Sequence, residues 1–395
     1  MRITSSPTEF LKTASTTAEH FGFRTIESLA KDPECKNCTI PLSHTVTDAD
    51  HTLDAVGGHL SRGVLTYCEA GLHAYGKPVL LYSVDTTSNP NETALAFHIF
   101  NVPKSIAEAI LIQTTRALAS EFGTSDHLVR INSLGDLESV TRYGRELTNF
   151  LRKRLDTMPP RARDLMKVHA IQALQALIED DHELAHKSPN PLEYLSDQSR
   201  KHFRDIIEFL DMTEAPYEID SRMLGNHEYY SDALFSIESV DDSIDSGAEL
   251  ILRGGRFDTF LEKKTRKKTS GVGAVAILKD RPAPSRVPKI KLDTPTVYII
   301  QLGFGPKVRS LMIIDDLRKA GISVVQDLAN DSLSAQLRDA EARNMDHVII
   351  IGQKEFVDNT VILRDMAIRK QEAIPYNTLV RRLKKNSVTN ATLGA

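Results

Sequence analysis

Between Arg281 and Thr294 the chain carries Pro282, Pro284 and Pro288 among scattered charges, with no apolar period. Proline density of this kind suits neither helix nor sheet and marks a linker. The strand and helix rhythm differs on its two sides. Ahead of it, strand-like runs such as Val79-Leu80-Leu81-Tyr82-Ser83-Val84 and Ala94-Leu95-Ala96-Phe97-His98-Ile99-Phe100 flank a turn at Ser88-Asn89-Pro90-Asn91, the pattern of an antiparallel hairpin. After it, short strands alternate with helices, and Val348-Ile349-Ile350-Ile351 is apolar throughout, as a strand buried on both faces must be. A chain of 395 residues with this division folds as more than one body.

Ahead of the linker, Phe10, Leu11, Ala14, Ala18 and Phe21 recur at helical spacing. Further helices are expected over Gly63–Tyr75 and Ser105–Phe122, and a strand over Leu128–Leu134. Residues 136–212 are helical in period throughout, broken at Pro159-Pro160 and again at 189–191. Strands resume at Tyr217–Asp220, Tyr229–Glu238, Ala248–Leu252 and Val272–Leu278. The expected domains are an antiparallel α+β body from 1–135 and 213–280, a helical insertion at 136–212, a linker at 281–293 and an α/β body at 294–395.

With 41% hydrophobic and 26% charged residues and a net charge of −4, the chain has no general attraction for nucleic acid or anionic membranes. No apolar run approaches the ~20 residues that span a bilayer, and the N-terminus lacks a signal-peptide layout, so a cytoplasmic location is expected. Cys35, Cys38 and Cys68 are too few for a disulfide framework, and Cys35-x-x-Cys38 lacks the second half of a zinc knuckle. Two reduced thiols and no bound metal are expected.

Three stretches resemble histidyl-tRNA synthetases, which are class II aminoacyl-tRNA synthetases. Ile131-Asn132-Ser133-Leu134-Gly135-Asp136 with Glu138 and Tyr143 is similar to a passage after the family's second signature motif. His227-Glu228-Tyr229-Tyr230, followed by Arg253-Gly254-Gly255-Arg256-Phe257-Asp258, resembles its histidine-specific motifs. Residues 321–327 with Ser332, Leu333, Gln336 and Ala340 resemble its anticodon-binding domain. The resemblance implies a class II antiparallel core with a helical insertion and a C-terminal anticodon-binding-like α/β domain. It also implies a homodimer, with tRNA or a protein partner engaged through that last domain.

Activation of an amino acid by ATP builds an anionic transition state that needs fixed cations, arginine above all. At the positions where the resemblance implies those groups, this chain carries Asp85, Val56, Gly225 and Asp280. The implied reading is a non-catalytic paralogue with no cofactor. Glu228, Tyr229, Tyr230 and Arg256 would remain as a residual histidine pocket. The alternative is a divergent active histidine–tRNA ligase using ATP and magnesium, with Arg62, Arg222 and Arg281 arriving from elsewhere. The run Lys263, Lys264, Arg266, Lys267 and Lys268 is a solvated loop or a contact for RNA phosphates. His98 is expected to be a hydrogen-bonded core residue rather than a base.

Overall fold

A computed structural model describes residues 1–31, 35, 38–41, 55–85, 91–123, 127–226, 229–240, 247–279, 281–282, 284, 295–327 and 330–385, with only the backbone of Ala55 and Asp85. The chain forms two compact units, Met1–Leu11 with Thr25–Val287 and Lys12–Arg24 with Pro288–Ala395.

The first unit is built on eight strands: β1 Arg2–Ile3, β2 Val79–Asp85, β3 Glu92–Phe100, β4 His127–Ser133, β5 Tyr217–Ile219, β6 Ala233–Ser239, β7 Ala248–Arg256 and β8 Gly271–Lys279. Their order is β2-β3-β8-β7-β6-β4-β5, with β1 beside β7. Every pairing is antiparallel except β4 with β5. The hairpin read from the sequence pairs in register, Leu81 opposite His98 and Asp85 opposite Ala94. Of its turn, Ser88, Asn89 and Pro90 lie outside the described residues.

Strand β8 is apolar on both faces because helices cover both, and β3 is buried along nearly all of its length. The helix Ala55–Glu69 lies over β2, β3 and β8. Its Leu60, Val64 and Tyr67 pack with Leu81, Ala96, Phe100, Val275 and Ile277. The helix Ile106–Glu121 lies over β6, β7 and β8. Strand alternation shows that the two helices take opposite faces. A Cβ on Gly273 would meet Leu60 of the first helix, Gly273 pairs with Gly255, and the next residue, Arg256, reaches Glu108 on the second.

The sequence expects the first of these helices to begin at Gly63, whereas it begins at Ala55. Gly57 and Gly58 weaken a helix by roughly 1 kcal/mol each, and burial of Val56 and Leu60 outweighs that. The helices between 137 and 212 start where the prolines allow. Pro160 and Pro191 each open a helical turn, where a missing N–H costs nothing.

The second unit carries β9 Val297–Gln301, β10 Val324–Gln326, β11 His347–Ile351, β12 Thr360–Asp365 and β13 Gln371–Pro375, in the order β10-β9-β11-β12-β13. The first three are parallel and the last two antiparallel, with helices Phe304–Lys319 and Leu333–Ala342 as crossovers. The β12–β13 hairpin is absent from the sequence reading. Its Arg369 adopts a positive φ that a turn would ordinarily give to glycine or asparagine, so the usual signal is missing. Most of the expected linker lies outside the described residues.

Candidate functional site

Residues that the resemblance assigns to substrate binding gather on the sheet face covered by Ala55–Glu69. Val56, in the first turn of that helix, is 6% exposed and shares one apolar cluster with Tyr229, Tyr230, Phe257 and Leu261. Tyr229 is fully buried. Its ring lies edge-on to Tyr230 at 5.1 Å, and against Phe257 and Phe260 at 5.0 and 4.7 Å. Gly225 has φ +59°, and a Cβ there would sit 2.8 Å from the Tyr230 ring. An arginine at 225 would therefore meet both backbone strain and an aromatic wall. Asp85 ends β2, and its side chain lies outside the described residues, as do Glu228 and Asp280.

The helix sits low on this face because of Gly63, where a Cβ would lie 2.1 Å from the His98 ring. His98 Nε2 donates to the Leu60 carbonyl at 3.0 Å, which fixes its tautomer. The ring stacks on Phe100 and is fully buried, and burial pulls its pKa down to about 4. His98 is the hydrogen-bonded core residue expected from the sequence.

Arg256 belongs to the other face. Its guanidinium grips Glu108 with Nε to Oε1 at 2.7 Å and Nη2 to Oε2 at 2.8 Å, a planar two-point pair, and Asp258 lies 3.3 Å from Nη1. His202 adds a contact to Glu108 Oε1 at 2.8 Å. Burial alone would raise the Glu108 carboxyl, but Arg256 and His202 overcome it and hold it at about 2. Burial would lower His202, yet Glu108 raises it on balance. Burial raises both Asp232 and Asp258. Asp232 accepts from Ser199 at 2.7 Å, and Ser199 in turn accepts from the Asp136 N–H at 3.0 Å. Asp136 caps the helix Leu137–Arg152, so the network runs from the sheet into the helical segment. The geometry makes Arg256 a scaffold cation, separated by the sheet from Tyr229 and Tyr230.

Glu108 is the residue the sequence reading missed. It stands alone among Ile106, Ala107, Ala109, Ile110, Leu111 and Ile112, and a carboxylate on an otherwise apolar helix face must find a cation. That was the available signal. Its partner lies 148 positions away, which one sequence cannot reveal.

The remaining arginines are scattered. Arg222 is half-exposed and sits 3.6 Å from Asp220, and Arg62 lies on the helix Ala55–Glu69. Arg281 is held by its backbone at the end of the β3–β8 pair, where its N–H donates to Asn91 and its carbonyl accepts from Thr93. Lys263 and Lys264 close the helix Asp258–Thr265, Arg266 caps it with φ +54°, and Lys267 and Lys268 follow; all five are exposed. Cys35 and Cys38 lie side by side in one turn. The Cys38 N–H donates to the Cys35 carbonyl, a turn that folds the Cα atoms to 5.4 Å, within bridging range. Among the described residues no cluster of three or more His, Cys, Asp or Glu is placed to hold a metal, and no helix is long and apolar enough to cross a membrane.

Residues 296–386, nearly all of the second sheet and its helices, match the anticodon binding domain family. The chain is 26% identical to the histidine–tRNA ligase of Latilactobacillus sakei over 68% of its own length and 63% of that protein's. It is 28% identical to the histidine–tRNA ligase of Geobacillus thermodenitrificans over 63% of its length and 59% of that protein's. These matches span about three fifths of each relative. With the histidine–tRNA ligase of Caldanaerobacter subterraneus the match covers 84% of this chain and 82% of the relative, at 26% identity. The apo histidyl-tRNA synthetase of S. aureus superposes with a TM-score of 0.46 at 18% identity, covering 81% of this chain and 80% of that one. With an anticodon-binding match over 296–386 and 25–28% identity over most of its length, the chain is similar to the histidyl-tRNA synthetase family of class II aminoacyl-tRNA synthetases.

Proposed function

We propose that the chain is a non-catalytic member of this family that works by binding tRNA rather than by activating histidine. One observation carries the reading. The face on which Val56, Gly225, Tyr229 and Tyr230 meet is packed as apolar core, while Arg256 is held by Glu108 across the sheet. An anionic transition state needs preorganised cations, and loss of a single such group costs roughly 3–4 kcal/mol. Nothing in the packing of Val56 and Gly225 supplies one. The anticodon binding match over 296–386 supports RNA as the ligand of the second unit. In this proposal the protein is a cytoplasmic homodimer that needs neither ATP nor magnesium.

A second reading has one observation in its favour. The backbone contacts of Arg281 with Asn91 and Thr93 hold it beside the hairpin, where an arginine could reach a nucleotide. In an active ligase Arg281, with Arg62 and Arg222, would replace the missing clamp, and ATP and magnesium would be its cofactors. Calorimetry with the full chain separates the two. Titration with ATP and magnesium should give no binding heat, whereas titration with tRNA should give heat that falls steeply with salt. Micromolar ATP binding that Arg281→Ala abolishes would favour the ligase. Light scattering checks the dimer, and a monomer at micromolar concentration would contradict it.

A further inference from the structure

The Cys35-x-x-Cys38 motif plays no part in the proposed function. The Cys38 N–H donates to the Cys35 carbonyl at 3.1 Å, and this turn holds the two Cα atoms 5.4 Å apart. A disulfide accepts Cα separations of about 4.4–6.8 Å, so the backbone is already set for one. The turn is seated on the rest of the unit. Thr39, the next residue, donates its N–H to the Ala70 carbonyl at 3.1 Å and its hydroxyl to the Glu69 carbonyl at 3.5 Å. Those carbonyls lie at the end of the helix Ala55–Glu69, where Cys68 is the neighbour of Glu69.

The three thiols differ in their surroundings. Cys35 is buried, 7% exposed, in the apolar cluster that also holds Val56, Tyr229 and Tyr230. Cys38 and Cys68 pack against the same cluster but stay partly exposed. A cysteine that only fills apolar space is common, and that explains Cys35. It does not explain a second thiol at bridging distance that keeps contact with solvent. Metal binding fits less well, because among the described residues no third His, Cys, Asp or Glu is placed with the pair to hold an ion.

We propose that Cys35 and Cys38 form a thiol–disulfide exchange site that reacts with small-molecule disulfides such as glutathione disulfide. The thiol that reaches solvent enters first. The Cys38 thiolate attacks one sulfur of glutathione disulfide, that S–S bond breaks, and the departing glutathione takes up the proton that Cys38 lost. The Cys35 thiolate then attacks the Cys38 sulfur and displaces the second glutathione, which takes up the proton from Cys35. Two thiols and one glutathione disulfide become one protein disulfide and two glutathiones, so two electrons leave the protein. The second step is intramolecular and the hydrogen-bonded turn orients it, so the mixed disulfide is short-lived. Cys68 is the poorer entrant. Burial raises its thiol, Glu69 adds to that, and Lys264 opposes them without reversing the shift.

The test uses the full chain, reduced, freed of reductant and incubated with millimolar glutathione disulfide without oxygen. After an acid quench, remaining thiols are trapped with N-ethylmaleimide in denaturant and the protein is mapped by mass spectrometry. Of the three cysteines, one should accept the maleimide, and the map should join Cys35 to Cys38. Cys35→Ser should arrest the reaction with one glutathione on Cys38. Cys38→Ser should take up no glutathione at Cys35. Cys68→Ser should form the Cys35–Cys38 link at the wild-type rate. Thermal melts verify that each variant folds. Three trapped thiols in the wild type, a link that includes Cys68, or glutathione arrested on Cys68 rather than Cys38 in Cys35→Ser would overturn the proposal.

Discussion

The two faces of the first unit's sheet differ in how much charge they bury: the helix Ala55–Glu69 brings His59 to within 3.5 Å of Glu92, whereas the helix Ile106–Glu121 covers a larger network. Under the helix Ala55–Glu69, where the family resemblance calls for cations, side chains such as Val56, Tyr229 and Phe257 form ordinary core. Under the helix Ile106–Glu121, Arg256, Glu108, Asp258 and His202 form a buried charged network. The contrast separates two uses of an arginine. One kind must be reachable and only partly satisfied until substrate arrives. The other is fully satisfied by its own protein and ties helix to strand. Arg256 is the second kind, so its presence in a family motif says nothing for activity.

The contrast is broken most strongly by uncoupling the charged face. Glu108→Gln leaves a buried guanidinium without its main partner and should cost about 3–5 kcal/mol in chemical denaturation. Glu108→Leu combined with Arg256→Met should recover most of that loss, because it is the unpaired charge that is costly. A large deficit in the double variant would show that the network does more than hold the scaffold.

Acid distinguishes the faces next. His98 has a folded pKa of about 4, below its ordinary 6.5, so its contribution is present above 6.5 and is lost as pH falls toward 4. That loss should be on the order of 3 kcal/mol by denaturant midpoint, and His98→Phe should flatten it. Glu108 is also depressed, and its contribution disappears at lower pH, between about 4.5 and 2. His202 is raised, so its contribution is full below 6.5 and fades as pH rises through its folded value. Equal acid sensitivity in the wild type and His98→Phe would sink the assignment.

Smaller effects probe the apolar face. Gly63→Ala forces a methyl into the His98 ring and should cost about 1–3 kcal/mol in a thermal melt. Little change would mean that the helix does not sit as low as described. Gly225→Arg, the single reversion toward the family motif, should cost about 1–2 kcal/mol through its left-handed backbone and should not create activity.

Much of the fold was legible because it rests on period and punctuation. The β2–β3 hairpin, the proline-started helices and the apolar strands β9 and β11 all announce themselves. The site was less legible for a geometric reason. Arg256 and Phe257 are neighbours in sequence and in a shared motif, yet strand alternation sends one toward Glu108 and the other toward Tyr229. The glycines at 254 and 255 carry no polarity that would show which face is which. Glu108 acts through partners in distant segments, so its importance emerges only when the sheet closes. Gly57 and Gly58 of the Ala55–Glu69 helix read as a loop because propensity is local, whereas the burial that overrides it is not.

The central claim is that the apolar face cannot activate histidine, and ATP–pyrophosphate exchange tests it most directly. With millimolar histidine, ATP and magnesium, the full chain should exchange label at the rate of the blank, and Arg281→Ala should exchange at that same rate. Histidine-dependent exchange well above the blank, lost in Arg281→Ala while the variant keeps its melting temperature, would contradict the account and restore an active ligase.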